Sequence, residues 1–349
     1  MEIIIYSLII LLIEALVFDG FISKKNESKY KFLWIVIIHL FIIHAYVNVD
    51  SLPDLPTYVD AFDIFSTSSL KEGVFMNFVG FKMEPGWITL NFILSRISKD
   101  YLILMFFTSF VTVYSYIKAI KSFSPYIYIS VVIFYCLFFI QSLFVLRQYM
   151  AMSLCLLSIP YIIERNFKKF FILLVLACTI HYSALVFGLL YPLYCMKINR
   201  NVMVFVFAAC IIGRLISEIA FNFVFQFDWY STSAFEEGSN ITAFIISCIV
   251  VVPYFFVTRN KISTINGAEK LFFLMCICWL IIQIAGIGYA PTNRLAKYFS
   301  QAAVFLVPMT VYKITSNGLR NIVIAIYILM FTLMFNSDLV YIKNLIYIF

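Results

Sequence analysis

Apolar runs recur from one end of this 349-residue chain to the other. Most are about 17–22 residues long, the length that crosses ~30 Å of bilayer hydrocarbon. The runs are continuous rather than alternating, which excludes a β-barrel and points to helices. Charged residues make up only 12% of the chain and aromatics 19%, a balance no ordinary soluble domain has. The expectation is one all-α polytopic membrane domain over 1–349, with about 12 transmembrane helices. Spans are expected at 2–22, 31–48, 101–117, 125–143, 145–163, 168–180, 182–196, 201–222, 241–257, 271–288, 295–312 and 320–336.

Lysine and arginine set the orientation. Six short loops are basic: Lys24/Lys25/Lys29/Lys31, Lys118/Lys121, Arg165/Lys168/Lys169, Lys197/Arg200, Arg259/Lys261/Lys270 and Lys313/Arg320. They hold 16 of the 25 basic residues, and all fall on one side if the N-terminus is outside and 84–97 does not cross. That side is expected to be cytoplasmic. Residues 50–84 and 223–240, on the opposite side, are rich in Asp and Glu. The net charge of +7 therefore reports topology and does not suggest nucleic acid. The first apolar run lacks a basic region before it, so it reads as a first span rather than a cleavable leader.

Two segments depart from simple spans. Residues 84–97, EPGWITLNFILSRI, are short, and Pro85 suits a helix start. They are expected to form a re-entrant or interfacial helix. Residues 168–196 are too long for one crossing and short for two, and fit a tight helical hairpin with His181 at its outer tip. The eight cysteines are scattered and form no CxxC pair, and three histidines argue against a His-based metal site. No cofactor and no metal are expected.

Against this background a few ionisable residues stand out. A charge at the bilayer centre costs roughly 2.5 kcal/mol or more, so each is a site candidate by default. Arg147 and Gln148 follow an outer turn, His181 lies at the hairpin tip, and Glu84 opens the short segment. Asp54 and Tyr58 lie in the first outer loop, and Arg294, Lys297 and Tyr298 begin the span at 295–312. All fall near one membrane face, a result the basic loops produced without them. Arg147 has no acidic residue within a helical turn, and reads either as a snorkelling side chain or as a bidentate clamp on phosphate oxygens. His181 reads as a helix cap or a catalytic imidazole, and Glu84 as a helix-dipole partner or a catalytic carboxylate. Arg214 and Glu218, four apart, read as an intrahelical ion pair. Glu14 and His39 are each expected to pair with a neighbouring helix.

The run 146–193 resembles the EpsG-type branch of the Wzy-like bacterial polysaccharide polymerases, through Arg147-Gln148, the basic turn from Arg165 to Lys169, and His181-x-Ser183. Asp54-x-x-x-Tyr58-x-x-x-Phe62, Glu84-Pro85-Gly86-Trp87 and Arg294-x-x-x-Tyr298-Phe299 are similar to further motifs of that family. The resemblance implies a GT-C-like, metal-independent glycosyltransferase of the bacterial inner membrane. Its substrate would be an oligosaccharide repeat unit on polyprenyl diphosphate at the outer leaflet. The resemblance also suggests a chain-length regulator protein as partner. Arg147 and Arg294, with Gln148, Lys297 and Tyr298, would hold the diphosphate, where cations stabilise departing charge. Glu84, Asp54 and His181 are the candidate bases, and Tyr58 and Trp87 the sugar-stacking aromatics. The competing readings are a transporter or flippase for the same lipid-linked sugars, and a ligase or acyltransferase acting on the glycan. A transporter would place its polar groups at the midplane of repeated, broken helices, and neither feature is legible here.

Overall fold

The computed structural model describes residues 2–17, 26–49, 52, 54–69, 71–73, 80–197, 208, 212, 241–286 and 292–346. The expected span at 201–222, with Arg214 and Glu218, and the acidic loop 223–240 lie outside these residues, apart from the isolated positions 208 and 212. The described chain is helical with no strand, as the continuous apolar runs require. In order the helices are α1 Glu2–Val17, α2 Asn26–Ala45, α3 Leu55–Thr67, α4 Pro85–Ile97, α5 Leu102–Phe123, α6 Ile127–Ser142 and α7 Leu146–Ile163. There follow α8 Phe167–Ile180, a 3₁₀ segment Tyr182–Leu189, α9 Leu190–Cys195, α10 Ile241–Thr258, α11 Gly267–Ala285, α12 Thr292–Ser300, α13 Ala303–Lys313 and α14 Asn317–Ile346. Among the described residues α5, α7, α10 and α11 are long and apolar enough to cross a membrane, and α1, α2, α6, α13 and the start of α14 contain shorter apolar helices.

The chain divides into two compact units. The first comprises Met1–Ser158, Phe171–Leu185 and Thr315–Phe349. Its centre is α6, where Tyr135–Phe139 adopt one π-helical turn and place Phe134 and Phe139 in the core. Tyr116 of α5 stacks on Phe134 with ring centroids 4.2 Å apart. In this unit Glu14 of α1 meets His39 of α2 at 3.6 Å, and Ser7 hydrogen-bonds the same imidazole at 3.1 Å. Each of these two groups thus pairs with a neighbouring helix, and its partner is the other.

Helix α3 lies inside what reads in the sequence as the first outer loop. Leu55, Tyr58, Phe62 and Phe65 fall at helical spacing and are all buried. Pro56 in the first turn is tolerated because it removes a donor the helix does not use. The far end of α3 is held by α4 and the residues after it. Arg96 donates to the Ser66 and Ser68 carbonyls at 3.4 and 3.0 Å, and Lys99 donates to the Ser66 carbonyl. Cations there satisfy orphan carbonyls and face the negative end of the helix dipole.

The second unit comprises Ile159–Phe170 and Val186–Ile314. Helix α7 closes with Asn166 N–H on the Tyr161 carbonyl at 2.8 Å and Arg165 at φ 56°. That is a Schellman ending, with a non-glycine residue in the left-handed position. The chain that follows the 3₁₀ segment returns to this turn, since Tyr191 O–H donates to the Arg165 carbonyl at 2.7 Å and its ring stacks on Phe170 at 5.4 Å. Lys270 of α11 donates to the Tyr194 and Met196 carbonyls, each at 2.6 Å, and so caps α9.

The expected span at 295–312 is two helices, α12 and α13, separated at Gln301 and Ala302. The cause is local. Gln301 Nε2 donates to the Tyr298 carbonyl at 2.8 Å, taking the acceptor that a continuing helix gives to residue 302. The backbone then tightens, with Ala302 N–H on Phe299 and Phe305 N–H on Ala302.

Candidate functional site

The site is assembled from four places in the chain, all in the first unit. Glu84 precedes α4 with extended backbone, φ −70° and ψ 149°, and Pro85 begins the helix. An N-cap side chain ordinarily bonds the first-turn amides, but Glu84 makes no such bond. Its carboxylate instead points to two other segments. Arg147, in the first turn of α7, donates through Nη1 to Glu84 Oε2 at 2.5 Å. His181, which follows α8, lies with Nδ1 2.6 Å from Glu84 Oε1. The Tyr182 N–H adds a longer bond of 3.4 Å to the same oxygen, from the start of the 3₁₀ segment. An ionised carboxylate only accepts, so Nδ1 carries the proton and Nε2 is left as the basic nitrogen of the neutral ring.

Gly86 makes this meeting possible. A Cβ there would lie 2.4 Å from Thr179 Oγ1 and 2.7 Å from the Thr179 carbonyl oxygen. Any side chain would push the start of α4 away from the last turn of α8, and with it Glu84 from His181. The Pro-Gly pair thus has two jobs: one residue starts the helix, the other lets it approach.

Tyr58 and Trp87 form the wall on the α3 side. Their rings are 5.5 Å apart at 60°, and both residues are buried. Arg147 lies over the Tyr58 ring at 5.6 Å, and its Nε donates to Tyr58 Oη at 3.5 Å. A guanidinium over an aromatic face is a favourable cation–π arrangement that keeps the fork in one plane.

The electrostatics follow from this packing. Burial alone would raise the Glu84 carboxyl. The His181 hydrogen bond, the positive charge of Arg147 and that of His181 in its protonated form outweigh burial and pull it from 4.5 down to about 2. Burial holds the Tyr58 hydroxyl above its usual range despite the neighbouring guanidinium. Exposure divides the cluster in a useful way. The Glu84 side chain is 6% exposed, whereas Arg147 and His181 are 23% and 19% exposed. A molecule arriving from outside can touch the cation and the imidazole, and the carboxylate stays behind them.

The structure therefore gathers Tyr58, Glu84, Trp87, Arg147 and His181. Gln148 is buried beside Arg147 on α7. Asp54 is exposed at the start of α3, where its carbonyl accepts from Tyr58 N–H at 3.3 Å. Arg294, Lys297 and Tyr298 belong to α12 in the second unit, with Arg294 exposed and Tyr298 fully buried. In the sequence Arg147 has no local acidic partner, and the structure supplies one 63 residues upstream. Thr179 is the residue that sequence reasoning missed. The available signal was Gly86 directly after Pro85, since a glycine at a helix start marks close approach of another backbone.

A family model, the EpsG family, matches residues 29–348. No curated protein and no solved structure matches the chain.

Proposed function

The chain belongs to the EpsG family of polysaccharide polymerases, and on that premise we propose that it joins polyprenyl-diphosphate-linked oligosaccharide units at the outer face of the bacterial cytoplasmic membrane. In this reaction the acceptor sugar's hydroxyl attacks the anomeric carbon of the growing glycan. The bond from that carbon to the diphosphate oxygen breaks, and the electron pair leaves with the diphosphate. Arg147 meets the departing charge. Its guanidinium has five N–H donors, of which the Glu84 and Tyr58 bonds engage two. Preorganised donors of this kind stabilise charge that develops in the transition state.

The observation that carries the proposal is the Glu84 carboxylate held between Arg147 and His181 while shielded from outside. A carboxyl with a pKa of about 2 is a weak proton acceptor, which argues against Glu84 as the base. It acts instead as a positioning residue. It fixes the His181 tautomer so that Nε2 takes the acceptor's proton, and it stabilises the imidazolium that forms. Tyr58 holds the guanidinium plane from behind, and Trp87 packs against Tyr58. Their burial makes them supports of the site, in place of the sugar-stacking role that their motif suggests. Arg294 and Lys297 are a second diphosphate-binding pair in this proposal, carried on α12, where the fully buried Tyr298 is a support in place of the diphosphate contact that its motif suggests.

The test is polymerisation by the purified protein in nanodiscs. It is given its lipid-diphosphate oligosaccharide, and separately the same oligosaccharide on lipid monophosphate, with glycan length read on a gel. The proposal expects a ladder from the diphosphate alone. A folded protein that makes no ladder from the correct diphosphate, or one equally strong from both, overturns it.

A further inference from the structure

Away from the Glu84 cluster, α2 and α5 run antiparallel and enclose a groove of about 600 Å³, within the roughly 300–1,000 Å³ typical of small-molecule sites. The direction is fixed at both ends. Lys121 lies over the Tyr30 ring at 4.6 Å at one end, and Phe41 stacks on Phe106 at 5.8 Å toward the other. Both helices are in the first unit.

Three features describe what fits there. The walls are apolar along their length, with Leu33, Ile37, Val113 and Ile117 between the helices. Polarity is confined to one end, where Lys118 and Lys121 are exposed. Among the described residues no carboxylate pairs with either lysine; each ammonium rests on a tyrosine ring, Lys118 on Tyr114 at 5.5 Å and Lys121 on Tyr30 at 4.6 Å. Length is the third feature. From Tyr30 to Phe41 the helix rises roughly 16 Å, close to one leaflet's half of a ~30 Å hydrocarbon core. Tyr30, Trp34 and Tyr114 lie toward the lysine end, as aromatics do at a membrane–water boundary.

We infer that the α2–α5 groove binds one anionic phospholipid, its acyl chain lying between the helices and its phosphate at Lys118 and Lys121. Charge complementarity selects the headgroup and depth selects the chain. A zwitterionic lipid would fill the same apolar space but leave the two ammonium groups facing its own cation. A soluble anion would gain nothing from the walls. Lys118 and Lys121 lie in the last two turns of α5 and form one of the six basic groups that the sequence places on one side, so the lipid comes from the leaflet on that side of the membrane. The inference is independent of the proposed reaction, since none of these residues belongs to the Glu84 cluster.

Native mass spectrometry of the intact protein tests it. The detergent-solubilised protein is given phosphatidylglycerol or phosphatidylcholine with identical acyl chains. The expected result is one tightly held phosphatidylglycerol, favoured roughly tenfold over phosphatidylcholine, as two lysines beside an anionic headgroup allow. In Lys118→Gln/Lys121→Gln the preference falls to near unity. In Ile37→Trp, which fills the groove and leaves both lysines, retention of both lipids falls. Thermal unfolding of each variant confirms that it remains folded. Equal retention of the two lipids by wild type overturns the inference, as does a preference that survives the double lysine substitution. Displacement of the phosphatidylglycerol by equimolar polyprenyl phosphate overturns the phospholipid assignment in favour of an isoprenoid one.

Discussion

Glu269 and Glu84 are each held by a cation and a second side-chain donor, and they differ in what the arrangement leaves exposed. Glu269, at the start of α11, takes Lys313 at 2.9 Å and the Tyr254 hydroxyl. Glu84 takes Arg147 and His181. Around Glu269, carboxylate and cation are similarly open, with side chains 26% and 32% exposed, so water screens both and the pair ties α11 to α13. Around Glu84, the carboxylate is 6% exposed and its partners three to four times more so. Burying an acid costs free energy that a structural tether does not require. The cost becomes intelligible if the acid's task is to aim two other groups at something outside.

That contrast can be broken experimentally, and the largest effect falls on His181. His181→Ala is expected to lower the polymerisation rate about 10²–10⁴-fold, the range for a general base. A rate within a few-fold of wild type would make the imidazole a helix cap. Glu84→Gln comes next, with a rate loss on the order of 10²-fold while the substrate still binds. The same variant has a stability signature. The Glu84 carboxyl is lowered in the folded protein from 4.5 to about 2, so its stabilising contribution is fully present above pH 4.5 and is lost as the pH falls toward about 2. The difference in thermal unfolding between wild type and Glu84→Gln should hold from pH 8 to 5 and shrink below 4.5. A gap that stays constant down to pH 3 would mean the carboxylate is not held as described.

Smaller changes sharpen the comparison. Gly86→Ala places a methyl against Thr179 and is expected to destabilise the protein by about 1–3 kcal/mol, with activity falling alongside. Normal unfolding and normal activity would show that α4 and α8 do not approach so closely. Glu269→Gln should cost no more than about 1 kcal/mol and leave the rate unchanged, as an exposed pair does. If it silences the enzyme instead, the distinction between the two carboxylates fails.

Much of this was legible in the sequence, in proportion to how local the determinant is. Helix α7 reads as 145–163 and is Leu146–Ile163, because continuous apolar spacing sets a helix wherever it falls. Helix α3 was hidden by Asp54, Asp60 and Asp63, which make 50–84 read as a loop. The four-residue spacing of Asp54, Tyr58 and Phe62 already carried the helical period. The break at Gln301 was not legible, since one glutamine in an apolar run is ordinarily tolerated, and its effect depends on where its amide reaches. In the site the individual residues stood out because charge near apolar runs is rare. Their partnership did not, because Glu84 meets Arg147 across 63 residues and His181 across 97, and no local pattern records such distances.

The most direct test of the central claim is Arg147→Ala beside wild type in the polymerisation assay, at equal amounts of folded protein and saturating lipid-diphosphate oligosaccharide. The account predicts a glycan ladder from wild type and its loss, by about 10²–10³-fold in rate, from the variant. A ladder of undiminished strength from folded Arg147→Ala would contradict it, and would place the chemistry elsewhere in the molecule.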